Sequence, residues 1–289
     1  MVDTTKPAAV LAAMKAEGYA FRREEEVALR GLLAQKGGIR AALLEGPPGA
    51  GKTFLPEALA RALGLELVFD QFHAWTDADQ LMVGVDVAAA VAGEADAVRQ
   101  DGVLARVARA SQSATPERPV VLVLDEVDKA PERVEHLLLD WLQSGRVPVA
   151  PGQQLQTQLD NVLVFLTSNA VRPLGDALLR RVRRVRMRPL PAATVEEIVA
   201  AKTSAPEGVV RIARKAAYDV AQAEGTFVSP QELVRLVDEL LSVAQSVDDV
   251  KASLAGWAAK TDAGADRARA SKFAPALWAE VKAAQYKAA

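Results

Sequence analysis

The run Gly46-Pro-Pro-Gly-Ala-Gly51-Lys52-Thr53 fits the pattern G-x-x-x-x-G-K-[ST], and its flanks restrict what can surround it. Before it, Ala41 to Leu44 reads as a buried strand. After it, Lys52 to Leu63 sets Leu55, Leu59 and Leu63 on one helix face, with Gly64 as a ready stop. Strand, glycine-rich turn and helix in that order call for a parallel sheet. The turn needs glycine because its amides must close around phosphate oxygens, where a Cβ would obstruct them. Gly46, Pro47, Pro48, Gly49, Ala50 and Gly51, with Lys52, Thr53 and Phe54 leading into the helix, are the candidate phosphate-binding set. Lys52 is suited to reach the β and γ phosphates, and Thr53 to ligate magnesium.

Further strand-like runs recur at Leu65 to Phe69, Val120 to Leu124, Val162 to Leu166 and Val185 to Met187, alternating with helical stretches. The expected fold is α/β, a parallel sheet flanked by helices, followed by a small all-helical domain beginning after Pro189 and Pro191. There, Thr194 and Glu197 predict a capping box ahead of a helix to about Lys202. Helices follow at about Pro206 to Glu224 and Pro230 to Gln245, the last opened by Ser229 with Glu232 three residues on. The Ala-rich tail from about Lys251 is expected to loosen at Lys260 to Arg269. It ends in a short helix with Phe273, Leu277 and Val281 in one stripe. No internal repeat is visible.

Composition narrows the chemistry. Across 289 residues, 35 Lys and Arg against 37 Asp and Glu leave a net charge of -2, without the basic excess of a nucleic-acid binder. With no Cys and only His73 and His136, the usual zinc ligand sets are excluded. The longest apolar run, Ala8 to Met14, is far shorter than the ~20 residues of a bilayer helix, so no membrane partner is expected and a cytoplasmic protein is the default.

Two further clusters carry candidate chemistry. The strand Val120 to Leu124 ends in Asp125 and Glu126, where ligands bind at the carboxyl edge of a parallel sheet. Asp125 is the candidate magnesium holder and Glu126 the candidate general base for an attacking water. The next strand ends at Thr167-Ser168-Asn169, which would set the Asn169 amide beside them. Arg180 and Arg181 then precede an arginine-rich strand carrying Arg183, Arg184, Arg186 and Arg188. Such a strand reads as a solvated edge or salt-bridged face more readily than as a nucleic-acid platform, since no aromatics interleave it.

In this order, GPPGAGKT, LVLDEVDKA, LTSNA, ALLRR and a helical region, the chain resembles the AAA+ ATPases across roughly Arg30 to Gln245, and most of all their MoxR and dynein-related groups. Asp125-Glu-Val-Asp-Lys-Ala-Pro131 and Leu142 to Val149 carry the closer likeness. The resemblance implies Mg-ATP hydrolysis, with Asn169 as the sensor-1 residue and Arg181 as an arginine finger, Arg180 being its understudy. It also implies a homo-oligomeric ring, commonly a hexamer, that remodels, activates or assembles a protein client. It divides the chain into an N-terminal helical segment 1–29, an α/β domain 30–190, a helical lid 191–250 and a C-terminal extension 251–289. A β-hairpin insert is expected at 82–103, with arms Met82 to Val91 and Ala95 to Val103 around Gly93 and Glu94, against an Ala-rich helix as the alternative. Where the family's sensor-2 helix opens Ser-Pro-Arg, this chain has Ser229-Pro230-Gln231, and Arg235 one turn on is the candidate substitute, with an ordinary surface arginine as the alternative reading. The absence of an Asn-Lys-x-Asp motif favours adenine, with Tyr19 or Phe21 to stack on it. A nucleic-acid motor and a nucleotide-gated scaffold with little hydrolysis are the alternative readings.

Overall fold

The computed structural model describes residues 3–85, 91 and 99–288. The chain divides into two compact units. One holds the residues up to Gly46 together with Gly51–Met187, and the other holds Arg188–Ala289 with the short stretch Pro47–Ala50.

In the first unit, helices α1 (Pro7–Ala16) and α2 (Arg23–Ala34) precede β1 (Arg40–Glu45), which leads through the glycine-rich loop into α3 (Phe54–Leu63). Helix α1 packs on α3, and α2 on β1 and the last strand of the sheet. The expected boundary at residue 29 therefore falls inside a helix. Its buried apolar residues Ala28, Leu29, Leu32 and Leu33 bind that helix to the α/β layer instead of leaving it as a separate segment. Gly64 closes α3 at φ 59°, the left-handed conformation that glycine adopts without a Cβ penalty.

The remaining sheet strands are β2 (Leu67–Gln71), β5 (Val120–Asp125), β8 (Val162–Ser168) and β9 (Arg183–Arg186). All pairings are parallel, in the order β2-β5-β8-β1-β9. The three inner strands are buried along almost their whole length, as a sheet covered on both faces requires. One face packs Leu43, Leu122, Leu124, Val164 and Leu166 against Leu104, Leu138 and the fully buried Trp141. Strand β9 is an edge. Val185 is buried while Arg183, Arg184 and Arg186 are exposed, and Arg184 grips Glu45 through Nε and Nη2 at 2.9–3.2 Å.

Two hairpins interrupt the alternation. After α4 (Ala78–Met82), β3 (Val83–Val85) pairs antiparallel with β4 (Arg99–Asp101), Val83 opposite Asp101. Residues 86–90 and 92–98 of the expected insert, including Gly93 and Glu94, lie outside the described residues. Helix α5 (Val103–Ala110) follows, and α6 (Glu132–Ser144) comes after β5. The second hairpin, β6 (Arg146–Ala150) with β7 (Gln153–Gln156), has no counterpart in the sequence reading. Pro148 and the run of glutamines hide its strand character. The bond from Trp141 Nε1 to Thr157 Oγ1 (3.0 Å) ties its end to α6.

The second unit is all helical. After the one-turn α7 (Asp176–Leu179) of the first unit come α8 (Ala192–Thr203), α9 (Glu207–Ala223), α10 (Pro230–Val243), α11 (Val247–Ala258), α12 (Asp262–Arg269) and α13 (Ala274–Ala288). Ser229 and Glu232 form the expected capping box. Thr194 and Glu197 do not, because α8 already begins at Ala192, with Pro191 as its N-cap. The tail also differs from expectation. Residues 260–269 are held in a turn and helix. Glu224 accepts from the amides of Lys260 and Thr261, and Arg267 makes two 2.9 Å bonds to Asp219. Val250, Leu254, Leu277 and Val281 share one buried cluster with Val209, Val220, Leu236 and Leu240, so no boundary falls at residue 250.

Among the described residues, no helix is long and apolar enough to cross a membrane. Leu277 is fully buried in that shared cluster, and its replacement tests the packing of the tail. Leu277→Ala should lower unfolding stability of the helical unit by about 2–5 kcal/mol, read as a shift of the denaturant midpoint by far-UV circular dichroism. An unchanged midpoint would mean that the tail is not part of the core.

Candidate functional site

Parallel pairing puts the carboxyl ends of β2, β5, β8 and β1 along one edge of the sheet. Gln71 is level with Asp125, and Glu45 with Ser168. The loop leaving β1 there is shaped by Gly49 (φ 73°) and Gly51 (φ 90°), conformations strained for any residue with a Cβ. At its start, a Cβ on Gly46 would fall 2.2 Å from the Met187 carbonyl oxygen.

Lys52 is buried, and its Nζ donates to the Gly46 carbonyl at 2.8 Å, curling back over the loop. Burial lowers its pKa, opposed by the negative charges of Asp125, Asp128 and Glu126. Thr53, at the N-cap of α3, donates from Oγ1 to Asp125 Oδ1 at 2.9 Å. These two oxygen-bearing side chains suit a hard cation such as magnesium. Among the described residues, no group of three or more His, Asp or Glu could hold a metal ion.

Glu126 follows β5 at φ 57°, a left-handed backbone rare for a non-glycine residue. Its Oε1 accepts from Asn169 Nδ2 at 2.8 Å, and its Oε2 from Gln71 Nε2 at 2.9 Å and Lys129 Nζ at 2.7 Å. Partial burial pushes the carboxyl up. The hydrogen bonds from Lys129, Gln71 and Asn169 and the Lys129 charge outweigh it, leaving Glu126 below the ordinary glutamate value. The turn carrying Asn169 is braced by the buried Asp128, whose Oδ2 accepts from the Val171 amide at 2.8 Å.

Lys52, Thr53, Asp125, Glu126 and Asn169 are thus gathered into one linked cluster. The sequence reading missed Gln71, Asp128, Lys129 and Thr167. Thr167, like Asp125, directly follows an apolar run, so the rule that singled out Asp125 pointed to it too, whereas Gln71 lies two residues beyond the expected strand Leu65 to Phe69 and carried no such signal. Arg180 and Arg181 are exposed, and Arg181 Nη1 donates to the Ala177 carbonyl at 3.0 Å. In the helical unit, Arg235 lies over the Trp257 ring, 5.6 Å from its centroid, and Gln231 is in the first turn of α10. Tyr19 is buried between Phe21 (centroids 4.6 Å apart) and Phe54 (5.7 Å, stacked). Burial and the nearby Glu25 push the Tyr19 phenol well above its usual pKa. Phe54 is the most exposed of the three rings.

The Lys129 contact yields a pH prediction. A folded-state pKa below the unfolded value gives stability that is present above the ordinary glutamate range and lost as pH falls through the folded value. Lys129→Met should therefore raise the Glu126 pKa and move that loss to higher pH. Carboxylate NMR titration checks it, and an unchanged Glu126 titration would contradict the assigned cause.

Residues 41–182 match the family described as AAA domain (dynein-related subfamily). The chain is 33% identical over 129 residues to the ATP-dependent protease ATP-binding subunit-like protein AmiB of Pseudomonas aeruginosa, covering 45% of this chain and 34% of that protein. It is 33% identical over 180 residues to Lon protease of Frankia alni, covering 59% of this chain and 19% of that protein. The chain therefore spans only a third and a fifth of the length of these two relatives. A solved structure titled Closed State CryoEM Reconstruction of Hsp104:ATPyS and FITC casein covers 69% of this chain and 39% of its own, at TM-score 0.49 and 16% identity. Five parallel strands in this order, a glycine-rich loop after the first and an acidic end on β5 agree with the family match, which identifies residues 41–182, just under half of the chain, as an AAA domain of the dynein-related kind.

Proposed function

We propose that this chain is a MoxR-like ATPase that binds and hydrolyses Mg-ATP in a homo-oligomeric ring, a hexamer by resemblance, and uses the cycle to remodel, activate or assemble a protein client. The observation that carries the proposal is the contact of Asn169 and Glu126 beside the Thr53–Asp125 pair. A polar amide on the candidate base, next to an oxygen pair fit for magnesium, is an arrangement for activating water against a phosphate. The name of AmiB describes an ATP-binding subunit, which supports adenine as the base.

In this reading the amides of the Gly46–Gly51 loop bind phosphate oxygens, and Lys52 turns its ammonium from the Gly46 carbonyl toward them. Thr53 and Asp125 hold magnesium, which when bound neutralises phosphate charge. Glu126 accepts the proton of the attacking water, and Asn169 fixes its carboxylate. Each donor that leaves Glu126 strengthens it as a base, since those bonds are what depress its pKa. Arg181, exposed beyond α7, serves a neighbouring subunit's nucleotide. The exposed arginines of β9 lie on a sheet edge, with Arg184 committed to Glu45, which gives the nucleic-acid alternative little support.

Two experiments test this. Lys52→Ala should lose ATP binding, whereas Glu126→Gln should keep it and lose turnover by about 10²- to 10⁴-fold. Equilibrium binding and phosphate release decide between them, and parent-rate turnover by Glu126→Gln would remove it as the base. Arg181→Ala should bind ATP but lose about 10³- to 10⁵-fold in turnover. Mixing it with Glu126→Gln subunits should restore activity, because a mixed interface pairs an intact Glu126 with an intact Arg181. Turnover per subunit that is independent of protein concentration down to monomer would sink the role in trans.

A further inference from the structure

Thr167 is the penultimate residue of β8 and fully buried. Its Oγ1 lies 2.9 Å from the Glu126 amide nitrogen and 2.6 Å from Asp125 Oδ1. A backbone amide can only donate, so the hydroxyl oxygen accepts from Glu126, and its single proton is committed to Asp125. The orientation of this hydroxyl is fixed by chemistry, with no choice of rotamer left over.

Two consequences meet at this one group. Asp125 Oδ1 accepts two hydroxyls, from Thr53 at 2.9 Å and from Thr167, and only Thr53 belongs to the glycine-rich loop. When Thr53 turns to a metal ion, Thr167 is the hydroxyl that still orients the carboxylate. Glu126 holds a left-handed backbone at φ 57°, which carries a conformational cost, and the bond from its amide to Thr167 Oγ1 helps to offset it.

We propose that Thr167 is a positioning residue for the adjacent carboxylates. Its hydroxyl aims Asp125 at the magnesium of the bound nucleotide and fixes the backbone turn that presents Glu126, while touching neither ligand. The inference rests on the roles given above to Asp125 and Glu126. It separates Thr167 from its neighbour Ser168, whose Oγ accepts instead from the Ala170 amide at 2.9 Å.

The test uses the full chain with Thr167→Val, which keeps the shape and removes the hydroxyl, and Thr167→Ser, which keeps the hydroxyl. ATP affinity is measured by calorimetry across a magnesium titration, with thermal melting and steady-state turnover alongside. Without magnesium, both variants should bind ATP as the parent does. Thr167→Val should need about 10- to 100-fold more magnesium to reach its full ATP affinity, the usual loss when a ligand's outer partner is removed. Its kcat should fall while KM for ATP at saturating magnesium holds, and Thr167→Ser should track the parent in all three measurements. If Thr167→Val does not fold, Thr167→Cys carries the test, since a thiol is a weak donor of similar size and should give an intermediate magnesium shift. Parent-like magnesium dependence and kcat in Thr167→Val, or in Thr167→Cys in its place, would overturn the inference and leave the roles of Asp125 and Glu126 standing. A parent whose ATP affinity ignores magnesium would overturn the Asp125 role and the inference together.

Discussion

The pairing of β8 with β1 on one side and β5 on the other sets Ser168 level with Glu45 and Leu166 level with Leu124. Because these strands run parallel, each delivers its last residues to the same edge, and the loop, acidic and amide groups arrive together without any long side chain reaching across. A one-residue slip of β8 would turn Thr167 to the opposite face and away from Asp125. The apolar run Val162–Leu166 fits either face of a fully covered strand, so it resists such a slip weakly. The polar end of the strand, through Thr167 and Asn169, favours the observed register because only there do its hydrogen bonds to Asp125 and Glu126 form.

That edge concentrates negative charge. Asp125, Glu126 and Asp128 fall within four residues, and each needs donors to be stable side by side. The donors come from different elements: Thr53 from the start of α3, Thr167 and Asn169 from the end of β8, Gln71 from β2, and Lys129 from the turn that follows β5. The site is therefore a junction that braces the fold locally. Lys52 sits within electrostatic reach of all three carboxylates.

The helical unit solves its packing differently. Alanines at 213, 216, 217, 258, 268 and 274 are buried there, and such small side chains let helix axes approach closely. A core of small residues buries less apolar area per position, and polar clips supply added definition. Glu239 accepts from Ser253 Oγ (2.6 Å) and Trp257 Nε1 (2.7 Å), which fixes the indole against which Arg235 lies.

Local sequence determined the glycine-rich loop, the helix after it, the inner strands and the acidic strand end, because each depends on neighbouring residues: glycine at positive φ, an apolar face at helical spacing, a short run of apolar residues. It also determined the Ser229 cap, whose partner Glu232 is three positions away. Tertiary structure alone decided the rest. Residues 260–269 read as loose in the sequence because their partners Glu224 and Asp219 lie 36 to 48 residues back, and no periodicity within the tail encodes them. The Thr194 cap failed because Pro191 starts the helix earlier. The glutamine-rich β7 pairs with β6 across a tight turn without an apolar pattern of its own. Gln71 and Thr167 become part of the site through the strand order that sets the ends of β2 and β8 beside β5, whereas Lys129 reaches Glu126 from only three residues away.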